Sequence, residues 1–339
     1  MNVIAPKEKL KPADFASDQE VRWCPGCGDY AILKAVQRTL PDLDVPKENY
    51  VFVSGIGCSS RFPYYMSTYG FHTIHGRAPA FATGIKVTNP ELDVWLVTGD
   101  GDGFSIGGNH MLHVLRRNVN MQILLCNNEI YGLTKGQYSP TSETGLRTPS
   151  SPTGSVESPL KPCVFALGSG ARFVARGYDI QKNLPDTLKR AHEHQGTSLV
   201  EILQNCIVYN DAVFEDVLAR NTAAERQIHV EHGKPLLFGA DGNKGLRLNT
   251  KSLTLEVVTI GENGVTEDDI LVHDETNKGL ATMLAEMGGD DMPTAFGVLY
   301  CNPAPTFEGG VDQQMAVEKE KDASPSLDAL LRQGHTWQV

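Results

Sequence analysis

The stretch DVWLVTGDGDG, residues 93–103, decides the fold of this chain. Its apolar first half predicts a buried strand at 93–98, and its second half is a glycine-rich loop. A predicted helix at 106–117 and a second apolar strand at 121–126 follow. Strands that alternate with helices are typical of a parallel sheet, because the crossover helices cover both of its faces. We therefore predict an α/β fold, with a mostly parallel sheet and helices on both faces.

The segments on either side of this stretch continue the alternation. We predict further strands and helices, the strands at 50–54, 171–175 and 199–204 and the helices at 30–40, 78–88 and 184–194. Residues 135–162 are rich in Gly, Ser, Thr and Pro, which indicates a long loop for a substrate or partner. The pattern weakens beyond about residue 211, where we predict only a strand at 252–259, a helix near 276–287 and a polar tail.

Composition narrows the class of protein. The chain has 339 residues, a net charge of −11 and seven cysteines. The negative charge argues against nucleic-acid binding, and no apolar run is long enough to suggest a membrane span. The first residues lack the apolar core of a signal peptide, and the odd number of irregularly spaced cysteines argues against a secreted disulfide framework. We expect a cytoplasmic protein whose cysteines do metal or redox work.

Four of the cysteines form a candidate metal site. Cys24 and Cys27 flank a Pro-Gly turn, which places two thiolates on one side of a loop. Cys58 and Cys206 each follow a predicted strand, and strand ends meet at one edge of a parallel sheet. Four converging thiolates are the usual complement of a [4Fe–4S] cluster, with a zinc site or an inert pair of buried cysteines as alternatives. The other three cysteines are predicted to be ordinary buried residues: Cys126, Cys163 and Cys301.

The glycine-rich loop and the end of the next strand form a second candidate site. Gly99 and Gly101 allow close approach of a ligand, and the helix that follows presents free N–H groups to a phosphate. Asp100 offers a carboxylate oxygen and Asn128 an amide oxygen, with the carbonyl of Ile130 nearby. Such a set suits Mg²⁺ bound to a diphosphate. The spacing excludes an EF-hand and a P-loop, which leaves a plain surface turn as the alternative.

Six motifs in a fixed order carry a family resemblance. WCPGCG, GIGCSS, HGRA, ATGIK, GDGDGFSIGGNH and NNEIYGLTKGQ resemble the β subunit of 2-oxoacid:ferredoxin oxidoreductases over roughly residues 20–215. The last motif, which contains Lys135, is most similar to the 2-oxoglutarate branch. The resemblance implies a fold that binds thiamine diphosphate. That domain would span 21–239, between an N-terminal arm at 1–20 and a C-terminal extension at 240–339.

The resemblance also implies roles for single residues. Cys24, Cys27, Cys58 and Cys206 would bind one [4Fe–4S] cluster. Asp100, Asn128 and the carbonyl of Ile130 would hold Mg²⁺ on thiamine diphosphate. The catalytic roles would fall to His75 and to Lys135, whose ammonium group would bind the distal carboxylate of 2-oxoglutarate. The cofactor would be lined by Ile56, Gly57, Cys58, Ser59, His75, Gly99, Asp100, Gly101, Asp102, Asn128, Ile130, Tyr131, Gly132, Leu133 and Thr134.

The implied reaction is the reversible oxidative decarboxylation of 2-oxoglutarate with coenzyme A, which gives succinyl-CoA and CO₂ and reduces ferredoxin. An α subunit would supply the glutamate that activates the cofactor and most of the coenzyme A site. An acidic ferredoxin would need a local basic patch on this acidic chain, for which Lys7, Lys9 and Lys11 are candidates. The alternatives are a pyruvate or broad-range 2-oxoacid:ferredoxin oxidoreductase, and a non-redox thiamine-dependent decarboxylase subunit.

Overall fold

The computed structural model describes residues 10–321, 326–335 and 337. Over these residues the chain forms β-strands in the order β1 Tyr50–Ser54, β2 Tyr69–His72, β3 Asp93–Gly99, β4 Met121–Asn127, β5 Phe173–Tyr178, β6 Thr197–Leu203, β7 Gln227–Val230, β8 Leu237–Phe238, β9 Lys244–Asn249, β10 Thr254–Thr259 and β11 Thr294–Cys301. The α-helices are α1 Asp29–Thr39, α2 Phe62–Tyr65, α3 Ala78–Thr88, α4 Gly108–Arg117, α5 Pro162–Gly168, α6 Leu184–Glu193, α7 Glu215–Leu218, α8 Ala223–Arg226, α9 Lys278–Glu286, α10 Phe307–Lys321 and α11 Leu327–Leu331. A π-helical turn, Asp102–Ile106, precedes α4. No helix in the described ranges is long and apolar enough to cross a membrane.

A large sheet of eight strands organises the molecule. Its order is β2-β1-β3-β4-β6-β5-β11-β7, and a small antiparallel sheet contains β8, β9 and β10. Neighbouring strands of the large sheet are parallel except for β11, which pairs with β5 in the antiparallel sense. The predicted α/β class, with its mostly parallel sheet, is confirmed.

The core lies in two apolar layers, one on each face of the large sheet. Val51 and Val53 of β1 belong to the layer that packs under α3, α4, α5 and α9, whereas Phe52 belongs to the layer under α1 and α6. Alternate residues of a strand point to opposite faces, so a strand covered on both sides must be apolar throughout. The run YVFVS, which is buried over its whole length, meets this requirement.

The local predictions near the site agree with the structure. The strand at 50–54 and the helix at 78–88 have the predicted bounds, and the helix predicted from 106 begins two residues later, after the π-helical turn. The strand predicted at 171–175 instead spans Phe173–Tyr178, because residues 169–172 still belong to the turn that ends α5.

The sequence did not predict five of the strands, namely β2, β7, β8, β9 and β11. Every residue of β2 is exposed, so its sequence shows no alternation of buried and exposed positions. In β11 a glycine, Gly297, interrupts the run of apolar residues, and its backbone has φ +113°. The boundary at 239/240 stays a prediction. On its C-terminal side, β11 lies inside the large sheet, between β5 and β7.

Candidate functional site

The C-terminal ends of β1, β3 and β4 surround one cavity. The structure brings together around it all fifteen residues that the sequence analysis assigned to the cofactor lining: Ile56, Gly57, Cys58, Ser59, His75, Gly99, Asp100, Gly101, Asp102, Asn128, Ile130, Tyr131, Gly132, Leu133 and Thr134. They meet because parallel strands deliver their C-terminal loops to the same edge of a sheet. What these residues bind stays a prediction.

Asp100 follows β3 and is almost completely buried. Burial raises the pKa of its carboxyl group, while hydrogen bonds from neighbouring hydroxyls act in the opposite direction. One of these is from the hydroxyl of Thr141, which donates to Oδ2 of Asp100 over 2.7 Å. A buried carboxylate with neutral partners is costly unless a cation compensates it, so this side chain fits a divalent metal ion.

Asn128 follows β4 and is oriented by a buried partner. Its Nδ2 donates to Oε1 of Gln204 over 2.6 Å, and its Oδ1 accepts from the backbone N–H of Ile130 over 3.2 Å. An amide oxygen has two lone pairs, so one remains for a cation. A carboxylate oxygen from Asp100 and an amide oxygen from Asn128 are hard donors of the kind that Mg²⁺ prefers.

Gly101 makes room for a wall of the cavity. A Cβ atom at this position would lie 2.3 Å from the ring of Tyr131, closer than any real contact. The phenol of Tyr131 also donates to the carbonyl of Gly101 over 3.0 Å. The loop after β3 and the segment after β4 therefore fit together only if this position is glycine.

A buried carboxylate holds His75 at the edge of the cavity. Nδ1 of His75 lies 2.7 Å from Oδ1 of Asp102, and the same carboxylate accepts from Thr98 Oγ1 and from the backbone N–H groups of Ile56 and Gly76. Because Asp102 can accept but not donate when ionised, the proton lies on Nδ1 and Nε2 is the free ring nitrogen. Asp102, predicted from the sequence only as a lining residue, thus also anchors His75.

The four cysteines assigned to the metal site converge beside the cavity. Burial, followed by the charges of Asp29, Cys206 and Cys24, raises the pKa of Cys58 to about 12, so these groups are its electrostatic neighbours. Cys58 also acts to raise the pKa of Cys27, after burial and Asp29. Cys58 therefore interacts electrostatically with each of the other three cysteines.

Gly132 lies against two of these sulfur atoms. A Cβ atom there would lie 3.4 Å from Sγ of Cys206 and 3.7 Å from Sγ of Cys58. Within the described ranges, no three His, Cys, Asp or Glu side chains are arranged for a single metal ion.

Asp29, at the start of α1, is a neighbour of the cysteine set that the sequence did not predict. It is completely buried, and burial raises the pKa of its carboxyl group to about 7. Sγ of Cys27 lies 3.6 Å from its Oδ2, while Oδ1 has no hydrogen-bond partner. No sequence signal distinguishes this aspartate from one in an ordinary first helical turn.

Lys135 lies close to the cavity but is not among the residues that line it. It is exposed, at the tip of a tight turn in which Tyr131 N donates to Gln137 O over 2.9 Å. Of the proposed basic patch, Lys11 is exposed, and Lys7 and Lys9 lie outside the described residues.

The predicted loop at 135–162 returns to the site. Ser139, Thr141 and Ser142 are buried, and the hydroxyl of Ser142 donates to the carbonyl of Glu129. Through Thr141 the loop contacts Asp100 directly, an arrangement that composition alone could not predict.

Comparisons with known proteins agree on one family. Residues 55–202 match the family described as thiamine pyrophosphate enzyme, C-terminal TPP binding domain. The chain is 49% identical over 337 residues to 2-oxoglutarate oxidoreductase subunit KorB of Mycobacterium tuberculosis, an alignment that covers 97% of this chain and 88% of that protein. It is 46% identical over 200 residues to 2-oxoacid:ferredoxin oxidoreductase 1, subunit beta, of Aeropyrum pernix, which covers 59% of this chain and 63% of that one.

A solved structure is similar over nearly the whole chain. It is the 2-oxoglutarate:ferredoxin oxidoreductase from Magnetococcus marinus with 2-oxoglutarate, coenzyme A and succinyl-CoA bound. The two chains share 33% identity with a TM-score of 0.74, and the alignment covers 97% of each.

Proposed function

The chain belongs to the family of 2-oxoacid:ferredoxin oxidoreductase β subunits, and from this premise we propose its reaction. The enzyme oxidatively decarboxylates 2-oxoglutarate with coenzyme A to succinyl-CoA and CO₂, and passes the electrons to ferredoxin. One observation carries the proposal. Cys58 belongs both to the lining of the cavity and to the cysteine set, so a cofactor site and a redox site share a residue.

The choice of 2-oxoglutarate rests on the relatives. The Mycobacterium tuberculosis protein and the Magnetococcus marinus structure both carry 2-oxoglutarate in their names. The Aeropyrum pernix relative is named for 2-oxoacids in general, which makes a broad-range or pyruvate enzyme the second candidate. Lys135 is the group in this chain that we assign to the distal carboxylate of 2-oxoglutarate.

Thiamine diphosphate, when bound, accepts the electron pair that is left on the substrate carbon as CO₂ departs. We assign Asp100, Asn128 and the carbonyl of Ile130 to the Mg²⁺ ion that holds its diphosphate. Tyr131 forms a wall of the cavity, and its hydroxyl is tied to the backbone, so the wall is fixed. His75 lines the cavity and its Nδ1 is held by Asp102, so Nε2 is the ring nitrogen that we assign to donating a proton to the substrate or accepting one from it.

We assign Cys24, Cys27, Cys58 and Cys206 to one [4Fe–4S] cluster, which accepts electrons one at a time. The cluster would lie between the cavity and the surface, because Cys58 lines the cavity while Cys24 is exposed. Electrons would therefore enter on the Cys58 side and leave towards ferredoxin on the Cys24 side.

The α subunit completes the active site. Among the residues that the structure describes, those lining the cavity include two aspartates and no glutamate, which supports a glutamate that reaches the cofactor from a partner chain. We propose that the α subunit supplies this glutamate and most of the coenzyme A site, and that the complex is cytoplasmic.

The test is a purification of the chain together with its α subunit, without oxygen. Iron, sulfide, zinc and thiamine are measured, and reduction of ferredoxin is followed with 2-oxoglutarate or pyruvate in the presence of coenzyme A. We expect about four irons and four sulfides per chain and activity that requires 2-oxoglutarate. Stoichiometric zinc without iron would refute the redox assignment, and equal rates with pyruvate would favour the broad-range enzyme.

A further inference from the structure

Gln204 lies between the two sites, immediately after β6. Its side chain is 1% exposed and touches one residue from each site. Oε1 accepts from Nδ2 of Asn128 over 2.6 Å, and Nε2 donates towards Sγ of Cys27 over 3.3 Å. Nε2 also donates to the carbonyl of Asn205 over 2.6 Å. All three groups of this amide, two N–H donors and one oxygen acceptor, are therefore in use.

The carbonyl of Asn205 fixes which way this amide points. A carbonyl oxygen can only accept, so the nitrogen of Gln204 must face it and the oxygen must face Asn128. Asn128 must then present its own nitrogen to Gln204 and its oxygen to the N–H of Ile130. The carbonyl of Asn205 thus fixes the orientation of the Gln204 amide, and that amide fixes the orientation of the Asn128 amide. As a result, the side-chain oxygen of Asn128 is available to a cation.

The same nitrogen acts on the cysteine set. An N–H group close to a thiolate sulfur stabilises negative charge on that sulfur and raises the reduction potential of the cluster it binds. One hydrogen of Nε2 is donated to the carbonyl of Asn205, and the other is directed at Sγ of Cys27.

Close packing holds Gln204 in this position. A Cβ atom at Gly28 would lie 2.9 Å from Cγ of Gln204 and 2.0 Å from Oδ2 of Asp179. The N–H of Gly28 donates to the carbonyl of Asn205 over 3.1 Å, and the N–H of Asn205 donates to Asp179 over 2.9 Å. The cysteine loop and the end of β6 are thus locked together around the Gln204 side chain.

We propose that Gln204 is a positioning residue that serves both groups: its oxygen orients Asn128 towards Mg²⁺, and its nitrogen tunes the cluster through Cys27. This inference rests on the proposed function, since it presupposes that both groups bind. Its two halves are separable, because oxygen and nitrogen of one amide perform them.

Two substitutions separate the halves in the purified complex. In its protonated form, Gln204→Glu keeps an O–H for the carbonyl of Asn205 and an oxygen for Asn128 but has no hydrogen left for Cys27, whereas Gln204→Leu removes all three contacts. Gln122→Leu is the matched control, because Gln122 is also buried but lies near the start of β4, away from the site. Thiamine diphosphate binding is measured against Mg²⁺ concentration, and the cluster potential by a redox titration followed by electron paramagnetic resonance.

We expect Gln204→Leu to raise the Mg²⁺ concentration needed for half-saturation about 10- to 100-fold, as for other residues that orient metal ligands. Gln204→Glu should leave that concentration near the wild-type value. Both substitutions should lower the cluster potential, and Gln122→Leu should change neither property. The glutamate variant preserves the volume of the side chain and keeps the test open if the leucine variant does not fold.

The outcomes distinguish this inference from the proposed function. A wild-type complex that binds no iron or no thiamine diphosphate would overturn the function itself. A fully loaded wild type together with unchanged Gln204 variants would overturn only the role of Gln204. Equal loss of Mg²⁺ affinity in the glutamate and leucine variants would refute the orientation of Asn128.

Discussion

Lys135 has a left-handed backbone conformation, with φ +77°, which is uncommon for a residue with a side chain. Its N–H donates to the carbonyl of Gly132 over 3.0 Å, so the turn holds this conformation. Strain of this kind persists where the surroundings enforce it, often at binding sites. We expect Lys135→Ala to raise KM for 2-oxoglutarate about 10- to 100-fold, the worth of a charge-assisted hydrogen bond, and to affect a monocarboxylate far less.

Steady-state kinetics with 2-oxoglutarate and with pyruvate check this prediction. Lys251→Ala is the control, because Lys251 is an exposed lysine in the β9–β10 hairpin. Equal increases in KM for both substrates would assign Lys135 to a general electrostatic role and not to the distal carboxylate.

Gly101 allows a second prediction. The Gly101→Ala side chain would lie 2.3 Å from the ring of Tyr131, so the wall of the cavity must move. We expect thiamine diphosphate affinity to fall at least tenfold, because overpacking costs about 1–3 kcal/mol and about 1.4 kcal/mol corresponds to a factor of ten. The iron content should change little. Gly108→Ala in α4 is the control, since a Cβ atom there meets nothing within 4 Å. Equal effects of the two changes in a binding titration would contradict the argument.

At the scale of elements, the segments that the sequence predicted are those whose signal is local. β3, its loop and α4 carry their own pattern of apolar residues, glycines and caps. β2 and β11 do not, because an exposed edge strand and a strand interrupted by Gly297 depend on their neighbours in space. Tertiary pairing, which single-sequence patterns do not encode, decides both.

β5 and β6 are joined by a buried ion pair that the sequence did not predict. Arg176 and Glu201 lie opposite each other in the register of the two strands, with Nε of Arg176 2.7 Å from Oε2 of Glu201. Oε1 of Glu201 also accepts from Nδ2 of Asn127 over 2.9 Å. We expect Glu201→Gln to lower the free energy of unfolding by roughly 3–5 kcal/mol, because it leaves the arginine buried without a counter-charge.

Thermal or denaturant unfolding measures this loss. Glu256→Gln breaks a partly exposed pair with Arg247 in the small sheet and should change the midpoint far less. Comparable destabilisation by both substitutions would mean that burial of the pair is not what matters.

The same pair predicts a dependence of stability on pH. Burial acts to raise the pKa of Glu201, but the Arg176 guanidinium and hydrogen bonds outweigh it, so the pKa lies below the ordinary value of 4.5. A lowered pKa in the folded state means that the stabilisation is fully present above the ordinary value and is lost as pH falls through the folded one. The wild type should therefore lose stability in that acid range more steeply than Glu201→Gln, as unfolding curves recorded at several pH values will test.

For the molecule as a whole, the sequence predicted which residues meet but not what holds them. Asp100, Asn128, Cys58 and Cys206 follow strands, and parallel topology alone brings them to one edge. Gln204 and Thr141 could not be assigned, because their roles depend on side-chain contacts between distant segments. Patterns along the chain therefore predict candidate ligands, whereas the residues that orient them require the structure.

The place of β11 in the large sheet leads to a prediction for the whole chain. β11 lies between β5 and β7, and Phe296 and Leu299 of this strand are fully buried. A chain that ends at residue 239 lacks β11, which exposes the apolar surface that β11 covers and leaves the edge of β5 unpaired, so we expect it to aggregate or to lack a cooperative unfolding transition. A chain that ends at residue 321 keeps the large sheet, and the described residues beyond that point are exposed.

We expect the longer chain to unfold at the wild-type temperature, which circular dichroism and size-exclusion chromatography can establish side by side. If the chain that ends at residue 239 folds as stably as the wild type, residues 240–339 are a separate extension, as the sequence suggested. If the shorter chain does not fold, the functional domain requires the C-terminal part of the chain as well. The strand that completes the large sheet, β11 at Thr294–Cys301, lies far beyond Cys206, the last cysteine of the proposed cluster.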